Sequence, residues 1–169
     1  MNRGDATIDK LDQELILELH KNGRQSYVDL AKLLHVTETT VRNRVKNLLN
    51  KGIINITAIP DLEVLGYNFV GIVGLQIRLG DLQLAAEQLV KHPNICYIAS
   101  VTGRYDLIII AVTRSPKEFA NFIEKTISAI PGILRTETFV NLNISKGRAT
   151  GLDTEHLISN IDVFPSNRL

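Results

Sequence analysis

The hydrophobic periodicity of this chain changes at Pro60, and that change constrains the fold more than any other feature of its 169 residues. Before Pro60, apolar residues recur at the three- and four-residue spacing of helices that bury one face. After it, strand-like runs are interleaved with shorter helical stretches. Two small domains are therefore expected, at residues 1–59 and 68–146, with a linker at 60–67 and a tail at 147–169. Pro60 interrupts ladder pairing and Gly66 permits a bend, which suits a linker.

In the first part, Leu11, Leu15, Ile16 and Leu19 share one helical face between Ile8 and Lys21. Thr7 or Asp9 supplies the N-cap, and Asn22-Gly23 stops the helix. A short second helix from about Ser26 to Leu34 carries Tyr27, Leu30, Ala31 and Leu34 on one side. His35-Val36 leaves room only for a tight turn. Thr37 then caps a third helix that runs to about Lys51 and is ended by Gly52. Its buried stripe is expected to be Val41, Val45, Leu48 and Leu49, with Glu38, Thr39, Arg42, Asn43, Lys46 and Asn47 outside. Ile53 to Ile59 is strand-like, a candidate wing.

Two helices joined this way fit a helix-turn-helix that reads double-stranded DNA. The motif requires a small residue where the helices cross, a turn residue that accepts positive φ, and a solvent-facing second helix. Ala31, His35 and the third helix meet these needs. Histidine tolerates positive φ better than most non-glycine residues. On the outer face Thr39, Thr40, Arg42 and Asn43 suit base edges, because Asn pairs bidentately with adenine and Arg with guanine. Lys46, Lys51 and Arg44 suit phosphates, which hold register without reading sequence. The net charge of +1 hides this stretch, for residues 39–60 contain no acid at all. The competing reading is a small helical bundle with a solvated basic face.

The second part reads as strand (Phe69–Leu79), helix (Leu82–Lys91), strand (Ile95–Thr102), strand (Tyr105–Thr113), helix and strand (Ile133 to about Ser145). Ser115-Pro116-Lys117-Glu118 opens the second helix as a capping box with Pro at its first position, and Pro131-Gly132 closes it. This order is the ferredoxin-like βαββαβ unit, so the whole chain is expected to be α+β. In Tyr105–Thr113 both alternating sets are apolar: Leu107, Ile109 and Ala111 on one face, Ile108, Ile110 and Val112 on the other. Two helices cover only one sheet face, so the other needs a partner. A homodimer through the sheet is expected; the alternative is cover by the tail, through Leu157, Ile158, Ile161, Val163 and Phe164.

Several function classes are excluded. A single cysteine, Cys96, allows no intrachain disulfide, and no Cys/His cluster has zinc-ligand spacing. No apolar run approaches the ~20 residues a bilayer requires, and Met1–Asp5 carries no signal-peptide core, so a cytoplasmic protein without membrane contact is expected. Neither a cofactor nor a metal is called for.

The chain resembles the Lrp/AsnC, or feast/famine, transcriptional regulators over roughly residues 8–146. The resemblance rests on Ile8-Asp9-Lys10-Leu11-Asp12 with Ile16-Leu17, on Asn22-Gly23-Arg24, and on Leu30-Ala31-Lys32. It continues through Val41-Arg42-Asn43-Arg44-Val45 with Leu48, and Gly52-Ile53-Ile54. In the second part it rests on Val101-Thr102-Gly103-Arg104-Tyr105-Asp106, Pro131-Gly132-Ile133 and Thr136-Glu137-Thr138. The resemblance implies a winged helix-turn-helix joined to an effector-binding domain, assembling as dimers and often as octamers. It also implies a small-molecule effector, commonly an amino acid, near Thr102, Gly103, Tyr105 and Asp106, with Thr136 and Thr138 opposite. Gly103 lets backbone N–H groups approach a carboxylate, and Asp106 can receive an ammonium. Without the family, Gly103–Asp106 reads as an ordinary hairpin turn. Two features depart from the family pattern: His35 stands where glycine is usual, and the tail from Gly147 runs past the usual end.

An alternative of another class is an enzyme on the same architecture, of the siroheme decarboxylase type, which resembles these regulators in both domains. Such chemistry needs an acid/base in the second domain, where only His92 and His156 are available. No nucleophile–base pair is evident, so no enzymatic activity is expected.

Overall fold

The Asp9 carboxylate starts the first helix by accepting the Asp12 amide at 2.9 Å, and the Asp12 carboxylate in turn accepts the Asp9 amide at 3.3 Å. This reciprocal box satisfies two amides that the first turn of α1 (Lys10–Lys21) would otherwise leave open. Ser26 caps α2 (Tyr27–Leu33) and Thr37 caps α3 (Glu38–Asn50) by the same chemistry, each hydroxyl accepting an amide three residues on. The computed structural model describes residues 8–142 together with Thr154 and Leu157. It divides into two units, Met1–Ala58 and Ile59–Leu169.

The first unit closes around Leu15, Leu19, Leu30, Ala31, Val41 and Val45, with Leu11, Tyr27, Leu34, Val36 and Ile54 at the margin. Burial of each of these leucines and valines contributes about 1.5–3 kcal/mol. Ala31 sits where α2 turns, its carbonyl accepting the Val36 amide at 3.0 Å. Leu49, expected in the buried stripe, is exposed instead. The Val41–Val45–Leu48 face is narrow, and the next residue lies a further 100° round the helix. The expected wing does not form a strand: Ile53 and Ile54 both turn their amides back to the Leu48 carbonyl, at 2.9 and 3.4 Å. A ladder needs a second strand, and the described residues of this unit contain none.

In the second unit the elements are β1 (Phe69–Ile77), α4 (Leu82–Leu89), β2 (Ile95–Ser100), β3 (Leu107–Thr113), α5 (Pro116–Phe122) and β4 (Ile133–Val140). The antiparallel sheet has the order β2-β3-β1-β4, as the ferredoxin-like reading requires. Val73, Leu75, Ile77, Leu107, Ile109 and Ala111 face the helices and pack on Ala85, Leu89, Phe119, Phe122 and Ile127. Ser115 caps α5, but Glu118 takes the amide of Arg114 at 2.9 Å, so the expected box closes one residue early. Beyond Phe122 the helix continues as a π turn, Ile123–Ile127. The end expected for β4, at Ser145, lies outside the described residues.

The other face of the sheet is covered in part by the chain itself. Val112 is fully buried there, packed with Cys96, Leu62, Tyr67 and Leu157. The Tyr67 hydroxyl donates to the Leu157 carbonyl at 3.2 Å. Residues of the expected linker and of the tail thus cover one end of this face, whereas Ile72, Ile108 and Ile110 remain half-buried.

Candidate nucleic-acid interface and effector loop

His35 joins α2 to α3 with φ at 54°, the only positive φ among described non-glycine residues. That left-handed step lets α3 leave α2 at a sharp angle within a very short turn. With Val41, Val45 and Leu48 buried, α3 presents Thr39, Arg42, Asn43 and Lys46 to solvent, while Thr40 is half-buried and Lys51 is exposed just past the helix. The Thr40 hydroxyl shares a 2.8 Å hydrogen bond with Thr37 at the cap.

The three cations nearest one another on α3 have different surroundings. Arg42 pairs with the Glu38 carboxylate one turn earlier, and its guanidinium lies 5.4 Å from the centre of the Tyr27 ring. Arg44 turns away toward α1, its Nη1 reaching Asp9 at 2.5 Å and Asp12 at 3.3 Å. Its assignment to phosphate therefore conflicts with its geometry: the guanidinium is committed inside the unit. The Asp12 amide, and then the Arg44 guanidinium, hold the Asp9 carboxyl below its ordinary range, and Asp9 in turn raises Arg44. The acid-free stretch is thus partly neutralised by acids outside it, and Lys46 is exposed one turn beyond Asn43.

In the second unit, residues 101–106 connect β2 to β3. Gly103 takes φ 125°, which favours glycine, and Thr102 is exposed beside it. Asp106 ties the loop down: its carboxylate accepts the Ile77 amide at 2.7 Å and its own amide donates to Leu75 at 2.9 Å. One oxygen expected to receive an ammonium is thereby engaged with backbone. The Tyr105 ring lies flat on Gly74, and its hydroxyl donates to the Glu137 carboxylate. Arg104 stands 3.7 Å from the same carboxylate.

Thr136 and Thr138 do not join this group. They pair with Leu75 and Val73, whose side chains face the helices, whereas Glu137 pairs with Gly74 beneath Tyr105. Directly paired residues share a sheet face, so both threonines lie on the side opposite Tyr105. Glu137 is the residue that reasoning from sequence left out, because it meets Tyr105 only through the register of β4 on β1.

Residues 8–49 match the AsnC-type helix-turn-helix domain, and residues 70–150 match the Lrp/AsnC ligand binding domain. The chain belongs to the Lrp/AsnC family. A similar relative is the HTH-type transcriptional regulator FL11 of Pyrococcus furiosus, 30% identical over 140 residues, which are 82% of this chain and 92% of that one. A second HTH-type transcriptional regulator of that organism is 32% identical over 82% of this chain and 94% of its own. The structure of E. coli AsnC superposes with a TM-score of 0.79 at 28% identity, covering 84% of this chain and 97% of that one. The L-Met complex of the transcriptional regulator NMB0573 from Neisseria meningitidis shares the fold, with a TM-score of 0.78 at 24% identity over 89% of this chain and 99% of its own.

This Lrp/AsnC chain is accordingly a DNA-binding transcriptional regulator with a ligand-binding domain, and the relatives are named regulators rather than enzymes. Of the two histidines weighed for an enzyme, His92 is half-buried against Phe122 with ring centres 4.8 Å apart, and burial lowers its pKa. His156 lies outside the described residues. Among the described residues no three His, Cys, Asp or Glu side chains gather as a metal site, and no helix is long and apolar enough to cross a membrane.

Proposed function

We propose that this Lrp/AsnC member binds a specific duplex through α3 and changes its assembly or DNA affinity when an amino acid occupies the loop at residues 101–106. The observation that carries the DNA half is the exposed face of α3, set at its angle by His35 and bearing Thr39, Arg42 and Asn43 above a closed core. Arg42 and Asn43 read base edges, with Thr39 and Thr40 beside them, and Lys46 and Lys51 hold phosphates. The amino-acid half is supported by Gly103 beside Tyr105 and Glu137, an arrangement that pairs a backbone turn with an acid suited to an ammonium. The L-Met complex of the Neisseria meningitidis neighbour points to the same ligand class.

A homodimer through the half-buried Ile72, Ile108 and Ile110 face would carry two α3 helices, the number a near-palindromic site with two half-sites calls for, and octamers of such dimers would follow the family habit. The test is a thermal-shift screen of the twenty amino acids alongside size-exclusion chromatography. A true effector raises the melting temperature with concentration by mass action. No shift with any of them would remove the amino-acid reading and leave DNA binding standing.

A further inference from the structure

Three groups on α3 and α1 make one cluster: the carboxylates of Asp9 and Asp12 and the guanidinium of Arg44. Asp12 is buried, at 7% exposure. A carboxylate in that position requires a partner, because removing it from water is costly. Asp9 belongs to the capping box of α1, so Arg44 grips the end of that helix that is already ordered by hydrogen bonds. Two carboxylates around one guanidinium leave the cluster net negative. A DNA phosphate approaching Arg44 would meet repulsion from both acids, whereas Lys46 on the neighbouring turn has no such obstacle.

We propose that Arg44 is a positioning residue for DNA reading: it fixes α3 against α1, so that Arg42 and Asn43 arrive at the groove at a set angle, and it does not itself touch the duplex. This rests on the assignment of α3 as the reading helix. Positioning matters because bidentate base contacts tolerate little misplacement, while phosphate contacts by flexible lysines tolerate more.

The two roles differ in sign. Asp12→Asn removes a negative charge from the DNA-binding unit, so a purely electrostatic effect would tighten binding to every duplex. Loss of the clamp instead weakens binding to the preferred duplex several-fold and narrows its margin over a random one. The experiment uses the full chain, a duplex recovered by selection from a random library, and a scrambled duplex of the same length. Affinities are measured across a salt series for wild type, Asp12→Asn, Arg44→Gln and the double variant. With the clamp, both single variants lose preference, the double variant loses less than their product, and the salt slope of Arg44→Gln equals that of wild type. Arg44→Lys should restore preference, since all the contacts run through the single nitrogen Nη1.

Tighter binding by Asp12→Asn, or a salt slope flattened by about 0.9 in Arg44→Gln, would overturn the proposal and make Arg44 a phosphate ligand. Should Asp12→Asn lose helical circular dichroism at the assay temperature, Arg44→Lys against Arg44→Gln decides: preference lost equally in both overturns the clamp. If selection recovers no preferred duplex, the sequence-specific reading fails, and the clamp is then judged on the scrambled duplex by the same sign and slope.

Discussion

The Tyr105 ring rests on Gly74 so closely that a Cβ at residue 74 would stand 2.7 Å from the ring carbon Cγ. The contact joins the centre of β1 to the loop that precedes β3, and it aims the tyrosine hydroxyl at Glu137 on the far strand. Gly74→Ala should displace the ring base, which has no flexible end to yield. Expected is a destabilisation of about 1–3 kcal/mol by urea titration, together with loss of any amino-acid-dependent thermal shift. Wild-type stability and response would show that the ring is free to move.

Asp106 is expected to hold the loop rather than the ligand. Asp106→Ala removes the acceptor of the Ile77 amide, a charged hydrogen bond, and should cost about 1.5–3 kcal/mol of stability. Glu137→Gln keeps an acceptor for Tyr105 and should leave the melting temperature near wild type while abolishing the response to an amino acid. The opposite pattern, stability lost with Glu137→Gln and only response lost with Asp106→Ala, would return the ammonium to Asp106.

His35 carries a positive φ that glycine would adopt freely. His35→Gly should leave stability unchanged or slightly raised, and His35→Val should lower it by about 1–2 kcal/mol, because a β-branched residue resists the left-handed region. Equilibrium denaturation of the full chain measures both. Equal stability of the two variants would place the turn outside that region.

The capping box also has a pH signature. The Asp9 carboxyl is held below its ordinary value of 3.8, first by the Asp12 amide and then by Arg44. A carboxyl with a lowered folded-state pKa contributes stability that is full above the unfolded value and disappears as pH falls through the folded one. Asp9→Asn keeps a competent N-cap but lacks the charge. Its deficit against wild type should therefore be present at pH 7 and vanish in acid, as pH falls through the lowered folded-state value. A deficit unchanged between pH 7 and pH 2 would mean that the charge contributes nothing.

What was legible from sequence followed from short-range chemistry. Asp9, Thr37 and Ser115 cap helices because a side-chain oxygen three residues before an amide needs no tertiary information, whereas β3, apolar on both alternating sets, does not say locally which face meets the helices. Features that depend on distant residues were not legible. Arg44 meets acids 32 and 35 positions away, and nothing near it in the chain signals that engagement. Glu137 joins Tyr105 only through the register of β4 on β1. The wing failed for a related reason, since strand-like alternation at 53–59 supplies a pattern but no pairing partner. The π turn at Ile123–Ile127 leaves no periodicity that distinguishes it from α-helix over so few residues.

The central claim is that α3 reads bases, and paired affinities of wild type, Asn43→Ala and Lys46→Ala for selected and scrambled duplexes test it most directly. Expected for Asn43→Ala is a loss of about 1–3 kcal/mol on the selected duplex with little change on the scrambled one. Lys46→Ala should weaken both alike and reduce the salt slope by about 1. Equal losses on both duplexes for Asn43→Ala, or no preference by wild type for the selected duplex, would contradict the claim.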